Sequence, residues 1–352
     1  MVYVGIDLHR RSSHVAVFDE EGLELLSRRV ANDPEALRAV FAEVGEDARV
    51  ALEAAFGWEW LADLLEGEGI ELHLAHPRQT KAIAAARVKT DAVDARTLAH
   101  LLRADLLPEA YVAPRELREL RELLRHHIGL TRLRTALKNP VHALLARQGV
   151  QHGRAVLFGP RGRAFLGELA LPEPTRRRLE SLLGLIADFD RELQAVKREI
   201  QTCGKNDPRV GVLTRIPGVG VFIALLVIAE VGDVSRFPSA RHLASFAGLT
   251  PRVRNSGERV RLGPISHQGS PHLRWGLIQA AQTAVQVDGP LKSFCERIKQ
   301  RRGSKVAKVA VAREILTLCY YGLRDGEIRR LEAAAARANS ALAMAPTGGP
   351  TG

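Results

Sequence analysis

Apolar and polar residues in the first 110 positions form short runs, and their spacing alternates between that of strands and that of helices. The predicted strands are Val2–Asp7, His14–Asp19, Leu23–Val30, Arg49–Ala55 and Glu71–Ala75. Helices are predicted to begin at Pro34 and Pro77, because proline suits the first turn of a helix, and a further helix is predicted at Trp58–Leu65.

The order of these elements indicates the fold class. Three successive strands followed by alternating helices and strands predict a mixed sheet with helices on both faces. A ribonuclease-H-like fold has this order. We therefore expect residues 1–110 to form an α/β domain of that class.

From Pro114 the apolar residues recur every three or four positions, which is the spacing of long amphipathic helices. Pro140 is expected to break or kink the first helix late, and the Gly/Pro/Arg-rich segment 152–163 is interpreted as a linker. The second helix is predicted from about Pro174 to Cys203. Its apolar positions follow a heptad seam: Leu179, Leu182, Ile186, Phe189, Leu193, Val196 and Ile200. We expect a helical hairpin, and the residues leave open whether the seam pairs within one chain or forms a dimerising coiled coil.

A further module begins at Asp207. Its turn, Ile216–Gly220, leads into an apolar helix and is similar to a helix-hairpin-helix motif, in which backbone amides bind a phosphate at a helix N-terminus. Gly218 and Gly220 are the candidate nucleic-acid contacts, although such turns occur in many folds. The expected domains are 1–110, 111–205 and 206–325, followed by a low-complexity tail at 326–352, and the chain after the first domain is expected to be mainly helical.

Net charge indicates a polyanionic partner. The 352 residues include 51 Lys and Arg and 40 Asp and Glu, a net charge of +11. Residues 1–110 carry 12 Lys and Arg against 20 Asp and Glu, whereas residues 111–352 carry 39 against 20. A basic surface of this kind suits nucleic-acid phosphates, while an acidic module that works on nucleic acid often holds metal ions.

The same sequence argues against a membrane protein, a disulfide-rich secreted protein and a cysteine-based metal site. No apolar run reaches the roughly 18 residues of a membrane span. Cys203, Cys295 and Cys319 are far apart and follow no disulfide or metal spacing. We therefore expect a cytoplasmic protein associated with the nucleoid.

Four carboxylates of the acidic module are candidate metal ligands. Asp7 ends the first strand, Glu53 lies inside an apolar strand, and Asp91 and Asp94 are three apart on one helix face. A carboxylate inside an apolar strand is costly unless it is paired or holds a cation. Hard oxygen ligands suit Mg²⁺ or Mn²⁺, which can stabilise both exchanging oxygens at a phosphodiester. Each residue alone has an ordinary explanation, but the four together favour a metal site.

Several separated segments resemble one family, in the right order. The segments VGIDLHRRSSHVAVFDEEG, VALEAAFGWEW and RVKTDAVDARTLAHLLR resemble the three blocks of the DEDD, RuvC-like resolvase domain of the IS-one-ten family of bacterial insertion-sequence transposases. KNPVHALLARQGV also resembles that family, and SARHLASFAGLTPRVRNSGERVRLGPISHQGSPHLRWGLIQAAQ resembles its C-terminal transposase domain. The resemblance covers about residues 1–325.

The resemblance implies a transposase or recombinase that cuts and rejoins DNA for the mobility of an insertion sequence. It implies that Asp7, Glu53, Asp91 and Asp94 form a tetrad for Mg²⁺ or Mn²⁺. It also implies that Ser256 is a nucleophile that forms a covalent DNA intermediate. Without the resemblance, Asn-Ser-Gly at 255–257 would be interpreted as an ordinary turn. The next candidate nucleophiles are Ser245, Ser266 and Ser270.

Further expectations concern the surroundings of the serine and the partners. The arginines near Ser256 that could clamp a phosphate are Arg252, Arg254, Arg259 and Arg261. The tetrad could activate Ser256 if the two domains meet, within one chain or across a dimer. The resemblance further implies a structured bridge RNA as guide for donor and target DNA. A homodimer or tetramer is expected, because the exchange of two duplexes needs several active sites.

Three other interpretations compete. A Mg²⁺-dependent Holliday-junction-type nuclease would use the tetrad alone and form no covalent intermediate. An actin-like or sugar-kinase ATPase also opens with VGIDL and a hairpin, but residues 8–11 place bulky side chains where the backbone must approach a phosphate. A non-catalytic nucleic-acid-binding protein would explain the charge but not Glu53 inside an apolar strand.

Overall fold

The chain forms two compact units, Met1–Arg115 and Glu116–Gly352. The structure is a computed structural model that describes residues 1–45, 47–83, 90–151, 157–256 and 259–329, with the backbone alone at 254–256 and 259–262. The expected division of the second unit into a hairpin, a C-terminal domain and a tail stays a prediction. The tail from residue 330 onward lies outside the described residues.

The first unit is a five-stranded mixed sheet with helices. Its elements are β1 (Val2–Leu8), β2 (Ser12–Phe18), β3 (Glu24–Ala31), α1 (Pro34–Val44), β4 (Ala48–Glu53), α2 (Glu59–Gly67), β5 (Glu71–Ala75), α3 (Pro77–Ile83) and α4 (Asp91–Arg103). The strand order is β3-β2-β1-β4-β5, in which β1, β4 and β5 are parallel and β1–β2–β3 are antiparallel. The predicted strands and helices of this unit are present, with ends that differ by one or two residues.

The two faces of this sheet carry side chains of different size. On one face the fully buried residues are Val4, Ile6, Val50 and Leu52, and they pack with apolar residues of α1 and α2. The other face includes large residues such as Phe18, but several residues under α4 are small: Gly5, Ala16, Ala51 and Ala75. Residues of α4 cover this face and pack with its alanines. The predicted mixed sheet with helices on both faces is therefore confirmed.

The second unit is mainly helical, as predicted. Its elements are α5 (Arg115–Arg147), α6 (Pro160–Glu168), α7 (Glu173–Asn206), α8 (Pro208–Leu213), α9 (Val221–Val231), α10 (Ala240–Phe246), β6 (Pro251–Ser256), β7 (Arg259–Ile265), α11 (Pro271–Ala284), α12 (Pro290–Arg302) and α13 (Ser304–Asp325). Strands β6 and β7 form an antiparallel ribbon.

Helices α5 and α7 form the segment predicted as a hairpin, and apolar residues of both helices share cores within one chain. Ile186 of α7 is fully buried and shares a hydrophobic core with Val141 and Leu145 of α5. Farther along α7, Ile200 shares a second core with Ile128 of α5. The seam of α7 is therefore filled by its own chain.

Two expectations about this part of the chain need correction. The sequence predicts that Pro140 breaks or kinks α5; the break is wrong, because the helix continues to Arg147, and a kink stays a prediction. Both Pro140 and Ala136 are exposed, so the Ala136 carbonyl that loses its intrahelical donor can be solvated. The segment interpreted as a linker contains the start of α6, whose Leu166 is fully buried in the hairpin core. Residues 152–156 of that segment lie outside the described residues.

Helix α9 lies at the centre of the second unit. All residues from Ile223 to Val231 are buried and all but Glu230 are apolar, as expected for a helix that packs against other elements on every side. The predicted tight turn precedes it, where the Val219 amide donates to the Ile216 carbonyl at 3.0 Å. None of the helices in the described part of the chain is both long and apolar enough to cross a membrane.

Candidate metal centre

Two parallel strands bring Asp7 and Glu53 to one edge of the sheet. Ile6 of β1 pairs with Leu52 of β4, so Asp7 and Glu53 are the next residues on their strands. Because side chains alternate along a strand, both carboxylates belong to the face that α4 covers. Asp7 has only 12% of its side chain exposed, and Glu53 is half-buried.

The first turn of α4 supplies Asp91 and Asp94. Thr90 caps this helix, because its Oγ1 accepts a hydrogen bond from the Val93 amide at 3.3 Å. The two aspartates are three residues apart and therefore lie on one side of the first turn. Asp91 is exposed and Asp94 is half-buried.

A glycine in β1 decides how closely α4 approaches the sheet. A Cβ atom at Gly5 would lie 1.9 Å from the Ala95 carbonyl oxygen and 2.7 Å from the Ala99 nitrogen, so only glycine fits under the helix. Gly5 precedes Asp7 by two residues on the same strand face, and Ala95 directly follows Asp94. This close approach therefore places the acidic turn of α4 beside Asp7.

His9 joins the two sides of the cluster. Its Nε2 lies 3.1 Å from Asp7 Oδ2 and 3.1 Å from Asp91 Oδ1. One donor atom from each of these three residues lies within 4.8 Å of the others. The imidazole thus occupies the space between a carboxylate of the sheet and a carboxylate of α4.

The electrostatics of the cluster favour added positive charge. Burial is the largest cause that raises the pKa of Asp7, and the charges of Asp94, Asp91 and Glu53 raise it further. His9 opposes this shift. Burial lowers the pKa of His9, but the carboxylates of Asp7 and Asp91 outweigh it and the net direction is upward. Three carboxylates thus act on the partly desolvated Asp7, and a divalent cation would offset their repulsion of its charge.

The donor set fits a divalent ion that prefers oxygen. Asp7, Glu53, Asp91 and Asp94 provide carboxylate oxygens, which suit Mg²⁺ and Mn²⁺. Of the four residues that the sequence singles out, Asp7 and Asp91 place carboxylate oxygens within 4.8 Å of each other and of His9. Glu53 and Asp94 lie outside that group but are near enough for their charges to raise the pKa of Asp7. Sequence reasoning missed His9, although its spacing was a usable signal, because the second residue after Asp7 in an extended chain lies on the same side.

The serine region belongs to the second unit. Ser256 ends β6 and pairs with Arg259 of β7, and Arg254 pairs with Arg261. The side chains of these four residues lie outside the described part of the structure. Arg252 is described: it is exposed, and its guanidinium donates to the Ser266 carbonyl at 3.2 Å.

The two glycines of the turn before α9 differ in their surroundings. Gly218 has φ +84°, and a Cβ there would lie 2.2 Å from the Ala280 carbonyl oxygen of α11. Gly218 is therefore required for packing against α11. Gly220 caps α9, and a Cβ there would meet nothing within 4 Å. Of the two, Gly220 is the one with open space beside it.

Comparison with known proteins identifies the family. A model described as DEDD_Tnp_IS110, Transposase, matches residues 4–148, which include all four carboxylates, and one described as Transposase IS116/IS110/IS902 family matches residues 210–296. The "Probable family 20 transposase" of Pseudomonas aeruginosa is 30% identical over 274 residues, covering 75% of this chain and 80% of that protein. The chain belongs to the IS110/IS116 transposase family. The resemblance to the IS-one-ten family is thereby confirmed.

Two further proteins are similar to this transposase over different shares of its length. The "Transposase for insertion sequence element IS1111A" of Coxiella burnetii is 28% identical over 329 residues, covering 88% of this chain and 86% of that protein. The "Pilin gene-inverting protein" of Moraxella bovis is 34% identical over 120 residues, covering 33% of this chain and 37% of that protein. The chain is accordingly an enzyme of DNA transposition, which cuts and rejoins DNA.

Proposed function

We propose that this transposase exchanges DNA strands with a divalent-metal site at Asp7, Glu53, Asp91 and Asp94 and a nucleophile at Ser256. The observation that carries the proposal is the convergence of carboxylates from β1, β4 and α4 around the buried Asp7. When bound, Mg²⁺ or Mn²⁺ supplies positive charge to the oxygens that exchange at phosphorus. The carboxylates hold that charge at one edge of the sheet, and the packing of α4 on Gly5 keeps their spacing.

The serine step conserves phosphodiester bonds. The Ser256 Oγ attacks the phosphorus, and a serine–phosphate bond forms as the bond to one deoxyribose oxygen breaks. The serine proton leaves to a base, and the departing deoxyribose oxygen takes up a proton. In the second step the hydroxyl of another strand attacks the same phosphorus, releases Ser256 and restores a phosphodiester. Bond energy is thus kept in the covalent intermediate, and no external energy source is needed.

The register of the β6–β7 ribbon supports a role for its arginines. Ser256 pairs with Arg259 and Arg254 pairs with Arg261, and directly opposed residues of an antiparallel pair belong to the same face of the ribbon. Arg252 is a further member of β6. Guanidinium groups bind phosphate oxygens in two-pronged hydrogen bonds, so these arginines would hold the phosphate as negative charge develops.

We also propose that a structured RNA guides this reaction. The net positive charge of residues 111–352 supports a nucleic-acid partner, because phosphate contacts need cations but carry little sequence information. Base pairing by the RNA would then supply the sequence recognition. Gly220, at the open end of α9, is the proposed phosphate contact of the turn before that helix. Assembly as a homodimer or tetramer would supply one active site for each exchanged strand.

Covalent capture of labelled DNA tests the serine. Protein is incubated with Mg²⁺, its co-purified RNA and end-labelled element DNA, and the products are separated under denaturing conditions. The wild type should give a protein–DNA adduct, and Ser256→Ala and Asp7→Asn should give none. Ser245→Ala, in the exposed part of α10, is the matched control and should retain the adduct. An adduct that survives Ser256→Ala would refute the serine assignment.

The second candidate function is a metal-dependent Holliday-junction-type nuclease without a covalent intermediate. It is favoured by one observation, namely that all four residues of the proposed tetrad belong to the first unit. This enzyme would cleave junctions by hydrolysis. Full cleavage by Ser256→Ala, with loss of cleavage in Asp7→Asn, would favour it over strand exchange.

A further inference from the structure

The turn that carries His9 is held in place by a single asparagine. The Asn32 side chain donates from Nδ2 to the His9 carbonyl and accepts at Oδ1 from the buried Ser13 hydroxyl at 2.6 Å. The backbone N–H of Asn32 also donates to the Arg11 carbonyl at 3.1 Å. These three hydrogen bonds fix the β1–β2 turn from the end of β3. The backbone position of His9 is therefore held by the fold.

The position of His9 Nε2 matches that of a metal ligand. A ring nitrogen offers one proton or one lone pair, yet Nε2 faces an oxygen of Asp7 and an oxygen of Asp91, each at 3.1 Å. Neighbouring ligands of an octahedral ion with bonds near 2.1 Å are about 3.0 Å apart. The two distances agree with that edge length. A cation placed among these three atoms would therefore need little rearrangement of the side chains.

We propose that His9 Nε2 is a further ligand of the divalent cation held by Asp7 and Asp91, and that it makes this site prefer Mn²⁺ over Mg²⁺. Mg²⁺ binds almost only to oxygen, whereas imidazole binds transition-metal ions readily. Replacement of one oxygen ligand by a nitrogen therefore shifts selectivity toward Mn²⁺. The inference rests on the proposed metal site, because it concerns how that site chooses its ion.

Electron spin echo spectroscopy of bound Mn²⁺ tests the ligand directly. The full-length protein, without a histidine tag, is loaded with less than one equivalent of Mn²⁺, and modulation from a coordinated ¹⁴N nucleus is recorded. His14 provides the matched control. It lies opposite Asp7 on β2 and its Nε2 is 3.0 Å from the Ser27 hydroxyl. The nitrogen signal should be present in the wild type and in His14→Gln and absent in His9→Gln.

Calorimetric titration with Mn²⁺ and Mg²⁺ tests the selectivity. In His9→Gln the Mn²⁺ affinity should fall by about tenfold or more. The Mg²⁺ affinity should change by less than about threefold, because oxygen ligands dominate its binding. His9 is about half exposed, so the substitution should leave the fold intact, and circular dichroism checks this.

The outcomes distinguish a failure of the proposed His9 ligand from a failure of the proposed carboxylate metal site. Wild-type protein that binds Mn²⁺ without a nitrogen signal would overturn the role of His9 and leave the carboxylate site in place. A signal that survives His9→Gln and disappears in His14→Gln would also overturn it. Wild-type protein that binds no divalent ion at all would refute the proposed metal site itself.

Discussion

Substitution of Gly5 by alanine tests how the fold sets the spacing of the carboxylates. A Cβ atom at this position would lie 1.9 Å from the Ala95 carbonyl oxygen and 2.7 Å from the Ala99 nitrogen. Both are backbone atoms of α4, so no side chain can rotate out of the way. Ordinary contact begins near 3.4 Å, and α4 must therefore move away from β1 by about 1.5 Å.

This movement has two calculable consequences. Overpacking by one methyl group typically lowers the free energy of unfolding by about 1–3 kcal/mol. Because the added methyl group would clash with backbone atoms, we expect Gly5→Ala to lower it by about 3 kcal/mol or more. The same movement lengthens the separation between Asp7 on β1 and Asp91 on α4. Because a small cation tolerates only a narrow range of ligand distances, we expect the Mn²⁺ affinity to fall by about tenfold or more.

Urea unfolding and Mn²⁺ titration measure the two effects separately. In a Trp275→Phe background the remaining tryptophans are Trp58 and Trp60, which pack against the core of the first unit and report its unfolding. The matched control is Gly67→Ala, at the exposed end of α2, where a Cβ would meet nothing within 4 Å. The control should keep the wild-type Mn²⁺ affinity and a stability within about 1 kcal/mol of wild type. Unchanged stability and unchanged Mn²⁺ affinity in Gly5→Ala would refute the reasoning.

Three further substitutions have expected outcomes. Asn32→Ala removes the side-chain hydrogen bonds that hold the β1–β2 turn and leaves the buried Ser13 hydroxyl without its acceptor. Thermal unfolding should therefore show a free energy of unfolding lower by about 1–3 kcal/mol, and calorimetry should show a weaker Mn²⁺ affinity. Arg125→Met leaves the buried Glu230 carboxylate without its two-pronged partner, and urea unfolding of the second unit should show a loss of about 2–3 kcal/mol; unchanged stability would contradict this. Burial raises the pKa of Asp207, but hydrogen bonds from Arg209 lower it more, and the net direction is downward. The ionised Asp207 carboxylate therefore adds to the free energy of unfolding above about pH 4, and this contribution is lost as the pH falls through the lowered pKa of the folded state. The stability difference between wild type and Asp207→Asn should accordingly shrink below about pH 4.

The strands and the four carboxylates of the first unit could be predicted because their signals are local. A buried strand needs an apolar run, and a carboxylate at its end or within it is conspicuous. The pairing of Asp7 with Glu53 at one sheet edge follows from two parallel strands. The close approach of α4 could not be predicted, because Gly5 resembles any other strand glycine until the helix above it is known.

The errors have physical causes of the same kind. Pro140 interrupts the hydrogen bonding of α5, but it does so on the exposed side of the helix, and the helix continues because water can bind the freed carbonyl. Helix α6 was hidden by the glycines and prolines around it, of which Gly159 and Pro160 are the cap and the first turn. The contact between His9 and Asp91 could not be predicted, because it joins segments that are far apart in the sequence.

The central claim is that the carboxylate cluster carries the DNA chemistry of this transposase. The most direct measurement places the gene and its native flanking DNA on a plasmid in a bacterial host and counts newly joined DNA ends by sequencing, with protein levels checked by immunoblot. Asp7→Asn and Glu53→Gln should abolish new junctions, whereas Glu21→Gln, an exposed acidic residue of the same unit, should form them at the wild-type frequency. Junctions formed by Asp7→Asn at the wild-type frequency would contradict the account.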